Sequence, residues 1–291
     1  MASTQKIFLK DTLQLMIDMY KNNESYTKIC DICNTNPRTL VRILQKAGVY
    51  RKGKTCIKRK CKYTINSNYF DEINDEYKAY WLGYIGADGC VMKDRYGRWY
   101  LKFHIHKKDE ELLIKFKKCI ESNHKIKLDK NNKHISLSIS DKHLIQQLIN
   151  HGIVERKSLI YKFNTSINKN LIPHYIRGYL DGDGCVYGAS GNKIKNIHEA
   201  YHFVGSIYFI DYFSEYLNSL NIKHNVYFCN SKKNKQLSIV RLESVRLFSK
   251  LIYSNANIYL MRKYKLFRQF SETSTLLNHN LPETFQICQL P

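Results

Sequence analysis

Two stretches of this chain nearly coincide: YWLGYIGADGCV at 80–91 and YIRGYLDGDGCV at 175–186. Both keep Tyr-x-x-Gly-Tyr at the start and Asp-Gly-Cys-Val at the end, and they lie about one domain's length apart. A repeat of that span predicts two similar domains in a pseudo-twofold arrangement. Within the first copy Trp81, Tyr84, Ile85 and Asp88 follow the spacing of one helical face, as do Ile176, Tyr179, Leu180 and Asp183 in the second. Gly83 and Ala87, matched by Gly178 and Gly182, put small residues one turn apart. Glycine inside a helix costs about 1 kcal/mol relative to alanine, so its repetition calls for a packing reason. Two helices meeting backbone to backbone would supply it and would bring Asp88 and Asp183 together at their C-terminal ends.

The residues after each copy share an order. In the first, Trp99–His106 sets Leu101, Phe103 and Ile105 against Lys102, His104 and His106, a strand with one apolar and one basic face. Asp109–Ile120 has helical periodicity. Lys125–Asp129 and His134–Ile139 alternate again, with Ile126 and Leu128 inward in the one and Ile135, Leu137 and Ile139 in the other. Asp141–Asn150 is a second helix. The second copy predicts strands near 201–207, 223–228 and 236–242 and helices near 209–220 and 245–253. Short strands near Cys90–Lys93 and Cys185–Gly188 complete the pattern. The expected class is α+β, two αββαββα repeats at 71–168 and 169–270. Each sheet would have one face covered by helices and one polar face left bare.

Residues 1–50 read as a separate all-α domain. The first helix spans Lys10–Lys21, with Leu13, Met16, Ile17 and Tyr20 on one face, and the second Tyr26–Cys33. Asn36 is a natural N-cap and Pro37 suits the first helical position. The third helix, Arg38–Ala47, has Leu40, Leu44 and Ala47 inward and stops at Gly48. Its outward Arg38, Thr39, Arg42 and Lys46 give it the polar, basic face of a helix-turn-helix reading DNA, or the unit is a packing module. Residues 51–70 form a basic linker that includes Arg51, Lys52 and Lys54, and 271–291 a tail without Lys or Arg. Cys30, Cys33, Cys56 and Cys61 invite a zinc reading, but Cys30 and Cys33 fall within a helix, where packing as small hydrophobes is the better account.

Charge narrows the partners. The 47 Lys and Arg against 25 Asp and Glu give a formal net charge of +22, which predicts a polyanionic ligand, nucleic acid first. No apolar run approaches the roughly 20 residues of a spanning helix, and the first residues do not read as a signal peptide, so a soluble intracellular monomer with reduced cysteines is expected. A carboxylate at a helix C-terminus sits against the negative end of the dipole. Two there together are tolerable with divalent ions between them, and Mg²⁺ accepts few protein carboxylates with phosphate oxygens completing its shell. That arrangement serves phosphodiester hydrolysis. The competing reading makes each Asp-Gly a helix-ending turn in which the Asp bonds its own backbone.

The duplicated motif resembles the signature of the LAGLIDADG homing endonucleases, and the likeness covers roughly residues 77–270. It implies that Asp88 and Asp183 are metal-binding catalytic acids, with the carbonyls of Ala87 and Gly182 also facing the metals. It implies Lys157, Lys263 and Lys107 as cations around the scissile phosphate, and Mg²⁺ as the ion, with Mn²⁺ substituting. One departure is Gly86, where the motif often has the acid that Asp181 keeps. The fold implied is a saddle on double-stranded DNA. Arg95, Arg98, Lys102, His104, His106, Lys125, Lys127 and Lys133 are expected DNA contacts from the first half, and Lys193, Lys195, Lys223, Lys232, Lys233 and Lys235 from the second. The implied activity cuts both strands across the minor groove and leaves 3′ overhangs. A DNA-binding regulator without catalysis and an RNA-binding intron maturase fit the same fold.

Overall fold

The computed structural model describes residues 9–50, 63–187, 200–230 and 232–266. The chain divides into two units, Met1–Lys62 and Tyr63–Pro291.

The smaller unit holds α1 (Lys10–Lys21), α2 (Tyr26–Ile32) and α3 (Pro37–Lys46). Local capping starts the last two. Ser25 Oγ accepts the Lys28 amide at 3.1 Å and Asn36 Oδ1 the Thr39 amide at 2.9 Å, satisfying donors that the first helical turn leaves free. Gly48 follows α3 with φ +69°, a conformation glycine adopts without steric cost. Met16, Tyr20, Ile29, Cys30, Cys33, Leu40 and Leu44 make the core. Cys30 and Cys33 therefore act as small hydrophobes; Cys56 and Cys61 lie outside the described residues. Ala47, expected to face inward, is exposed, because the helix has already reached its C-cap there.

The larger unit runs α4 (Glu76–Asp88), β1 (Cys90–Lys93), β2 (Trp99–His106), α5 (Glu110–Cys119), β3 (Lys127–Leu128), β4 (His134–Ile139) and α6 (Lys142–Asn150). It then repeats the order with α7 (Ile172–Asp183), β5 (Cys185–Tyr187), β6 (Ala200–Ser206), α8 (Ile207–Ser219), β7 (Asn225–Phe228), β8 (Asn234–Ile239) and α9 (Leu242–Tyr253). Each repeat builds a four-stranded antiparallel sheet, in the order β1-β2-β4-β3 or β5-β6-β8-β7. The period-2 alternation decides which face is buried. Leu101, Phe103 and Ile105 of β2 lie opposite Ile139, Leu137 and Ile135 of β4, all buried. Tyr201 and Phe203 of β6 repeat this against Ile239 and Leu237 of β8.

Two strand expectations change. β3 is only two residues long, and Leu128, although it pairs with the buried Ile135, is 47% exposed. β8 stops at Ile239, and Leu242 opens α9 instead of closing the strand. The segment 188–199, with Lys193 and Lys195, lies outside the described residues, as do Arg51, Lys52, Lys54 and the tail.

One hydrophobic core runs through both repeats, and α4 against α7 is its spine. A Cβ on Gly83 would overlap the carbonyl oxygen of Tyr175, and one on Gly178 the carbonyl oxygen of Tyr80. The helices cross with main chain in contact, the packing reason that the repeated glycines demanded.

Candidate active site

Because α4 and α7 touch through backbone, their C-terminal ends coincide. A Cβ built on Gly182 would lie 3.5 Å from the carboxyl carbon of Asp88, so Asp88 rests against the residue that precedes Asp183. Both aspartate side chains open to solvent while their neighbours Gly89 and Gly184 are buried. The protein around them, with Asp183 beside it, pushes the Asp88 carboxyl up to about 6. Asp183 is also raised by its surroundings, with Lys157 and then Lys263 acting against the shift. Asp88 bonds the side chain of Tyr84. The glycine after each aspartate has ordinary negative φ, −76° at Gly89 and −77° at Gly184.

Two buried lysines answer the charge. Lys157, in the 3-10 turn Lys157–Leu159, is 8% exposed and donates from Nζ to the Ala87 carbonyl at 3.0 Å. Lys263, in the helical stretch 261–266, is 4% exposed. Its Nζ reaches the carbonyls of Leu180 at 2.5 Å, Asp181 at 3.0 Å and Gly184 at 2.6 Å. A cation at helix-end carbonyls offsets the dipole where the aspartates load it further. The pairing is crossed. Lys263, from the second half, opposes the Asp88 shift more than Lys157 does, and Lys157, from the first, opposes that of Asp183 more than Lys263 does. Burial depresses both lysines. Lys157, Ala87 and Asp183 also line a common cavity of about 210 Å³ with Tyr161, Tyr179 and Asn234.

Lys157 and Lys263 are thus neither exposed nor free, as ordinary lysines would be. Lys107 differs again. It lies exposed in the turn after β2, its amide bonded to the Lys133 carbonyl at 2.9 Å, and it is not among the cations acting on either aspartate. The Ala87 carbonyl, expected to face a metal, is occupied by Lys157. Sequence reasoning missed that Tyr84 bonds Asp88 and that Cys90 and Cys185 lie exposed two residues after each aspartate. Their repetition in both motif copies was the available signal.

No group of three or more His, Cys, Asp or Glu side chains among the described residues forms a metal cage. Two solvent-open carboxylates whose surroundings raise their proton affinity are still a hard-oxygen donor pair short of positive charge. That donor pair suits a hard divalent cation with oxygen ligands.

The open sheet faces differ. On the first, Lys102 pairs with Ser138, His104 with Ser136, His106 with His134 and Lys127 with Ser136. Arg95, Arg98, Lys125 and Lys133 are exposed, although Arg98 is tied to Asp94 at 2.7 Å. On the second, Lys223, Lys232 and Lys233 are exposed in the connections. Lys235, expected as a DNA contact, pairs instead with Gly205 on the helix-covered side and donates to Asp211 of α8 at 2.5 Å. In the smaller unit Arg38, Arg42 and Lys46 are exposed and Thr39 half-buried.

Residues 171–253 match the family model of a LAGLIDADG-like domain. No curated protein matches the chain by sequence. Among solved structures, a lysine-to-alanine mutant of I-SmaMI aligns over 70% of this chain and 92% of its own, with TM-score 0.52 and 12% identity. The LAGLIDADG meganuclease I-AabMI bound to uncleaved DNA aligns over 70% and 91%, with TM-score 0.50 and 13% identity. The LAGLIDADG homing endonuclease I-GzeII in complex with its DNA target aligns over 71% and 91%, with TM-score 0.50 and 13% identity. No helix among the described residues is long and apolar enough to cross a membrane. The chain is a two-repeat protein of the LAGLIDADG fold, and its second half carries the LAGLIDADG-like domain.

Proposed function

We propose that the chain is a site-specific endonuclease that hydrolyses double-stranded DNA with divalent cations, Mg²⁺ with Mn²⁺ as substitute, and leaves 3′ overhangs. One observation carries the reading. Asp88 and Asp183 sit side by side at the ends of paired helices, open to solvent, each with a buried lysine behind it. The solved structures of like fold include meganucleases bound to DNA, which supports DNA as the substrate here.

Asp88 and Asp183 would hold the cations, with the Gly182 carbonyl beside them. When bound, such ions neutralise phosphate charge and lower the pKa of a coordinated water. The chain's own groups do the rest. Lys157 and Lys263 keep the helix ends from repelling the phosphate. Lys102 and Lys127 draw the duplex onto the first sheet. The smaller unit, through Arg38, Thr39, Arg42 and Lys46 of α3, would lengthen the footprint as a helix-turn-helix.

Incubation with a randomised duplex library in Mg²⁺ should yield cut sites with one recurrent sequence. Asp88→Asn and Asp183→Asn should each lower cutting by at least about a thousandfold while keeping affinity for that sequence in Ca²⁺. A parent protein that binds one sequence tightly and never cuts it would refute the nuclease reading and leave a DNA-binding regulator. An effect on intron splicing that survives both substitutions would point to a maturase.

A further inference from the structure

We infer that Asp181 is a positioning residue for Lys263 and that the first half has no equivalent. Asp181 is 1% exposed. Its Oδ2 accepts the Tyr80 hydroxyl at 2.8 Å and the Leu260 amide at 2.7 Å. Its main-chain carbonyl accepts Lys263 Nζ at 3.0 Å. The turn between is closed by the Lys263 amide on the Leu260 carbonyl at 3.0 Å. One residue therefore grips both ends of the turn that carries the lysine.

The approach to that turn is moored by charge as well. Glu76 of α4 accepts the Asn257 amide and side chain, each at 2.7 Å. Arg177, fully buried, donates to the Ile258 carbonyl at 2.8 Å and to Glu76 at 2.6 Å. Hydrogen bonds to charged groups are stronger than neutral ones, so this side is held by its strongest available contacts.

The first half solves the same problem differently. Gly86 stands where the second motif has Asp181, and the Tyr161 hydroxyl fills the space its side chain would need. Tyr161 bonds Tyr175 across the helix pair at 2.7 Å, and its amide closes onto the Lys157 carbonyl at 2.7 Å. Lys157 is set by a neutral tyrosine pair and Lys263 by an ionic clasp. The catalytic consequence rests on the nuclease reading; the clasp itself does not.

Two readouts test it. Acetylation of the native protein with an N-hydroxysuccinimide ester, followed by peptide mass spectrometry, reports access to each buried amine. In Asp181→Ala, labelling of Lys263 should rise about tenfold with that of Lys157 unchanged. On a supercoiled plasmid bearing a selected site, the same variant should accumulate nicked circle, one strand slowing about tenfold relative to the other. Asp181→Asn, which keeps an acceptor oxygen, should restore both readouts most of the way. If circular dichroism shows that Asp181→Ala does not fold, Glu76→Gln carries the test, with the same bias at about threefold. Unchanged labelling, equal labelling of both lysines, or equal slowing of both strands would overturn the inference. A parent that does not cut would end the nuclease reading instead, and the labelling result would still decide the clasp.

Discussion

On the first sheet the outward cross-strand pairs set Lys102, Lys127 and His104 against serines and His106 against His134. On the second the matching positions hold Cys185 opposite His202, His202 opposite Ser238, Val204 opposite Gln236 and Tyr227 opposite Gln236. Strand order and register are the same; the chemistry is not. Among the described residues one face is cationic and the other neutral. Around the motif helices the contrast inverts. Arg177 and Asp181 of the second motif, joined by Glu76 from α4, form an inward ionic network, where the first motif has Leu82 and Gly86 at the matching positions. A duplicated fold can thus keep its geometry while moving charge from the surface of one half to the interior of the other.

The largest expected effect tests the interior contrast. Arg177→Met removes the cation between Glu76 and Asp181 and leaves both acids buried or half-buried, at a cost of about 3 kcal/mol. Leu82→Met at the matching position conserves volume and should cost about 1 kcal/mol or less. Urea unfolding of both variants measures the difference, and equal losses would mean that the ionic network adds nothing particular.

The surface contrast predicts two kinds of binding defect. Lys102→Ala and Lys127→Ala should each flatten the slope of log affinity against log salt by about 0.9, the value for one phosphate contact. Gln236→Ala should leave that slope alone and relax preference at one base pair, by about 1–3 kcal/mol if its amide reads an adenine edge. Gln236 is held for such a role by its contacts to Ser238 at 3.2 Å and His202 at 3.3 Å. A salt slope that changes equally for Gln236→Ala and Lys102→Ala would erase the distinction between the faces.

The smallest effect concerns pH. Asp88, raised to about 6 from 3.8, binds its proton more tightly folded than unfolded. Its contribution to stability is complete below about pH 4 and is lost as pH rises through about 6. Because the carboxyl is open to water, the effect should be discounted to about 1 kcal/mol. Thermal melts in chelator from pH 4 to 7 should show that slope in the parent, less of it in Asp183→Asn, and a version lacking the Asp88 share in Asp88→Asn. An Asp183→Asn profile parallel to the parent's would show that the two carboxylates do not interact.

Much of this was legible in the chain itself. The motif helices were readable because Gly83 and Gly178 make sense only if another backbone fills their space. The strands were readable where alternation ran long, as in Trp99–His106 and His134–Ile139. Short pairing was not: Leu128 alternates correctly, yet its strand is two residues long and leaves it half exposed. Lys235 looked like a surface cation because its partner, Asp211, lies on a different element, and no local pattern announces that. Lys157 and Lys263 were found by family likeness, but their burial was hidden. A lysine that caps a distant helix has no spacing rule, and the carbonyls that hold it belong to residues 70 to 83 positions away.

The glycine contacts between α4 and α7 carry one more implication. A seam made of peptide groups cannot tell which side chains hang elsewhere on either half. The surfaces meeting the ligand are then free to drift apart in composition without disturbing the alignment of Asp88 and Asp183. Asymmetry of recognition and symmetry of the reaction centre become separable traits of one polypeptide.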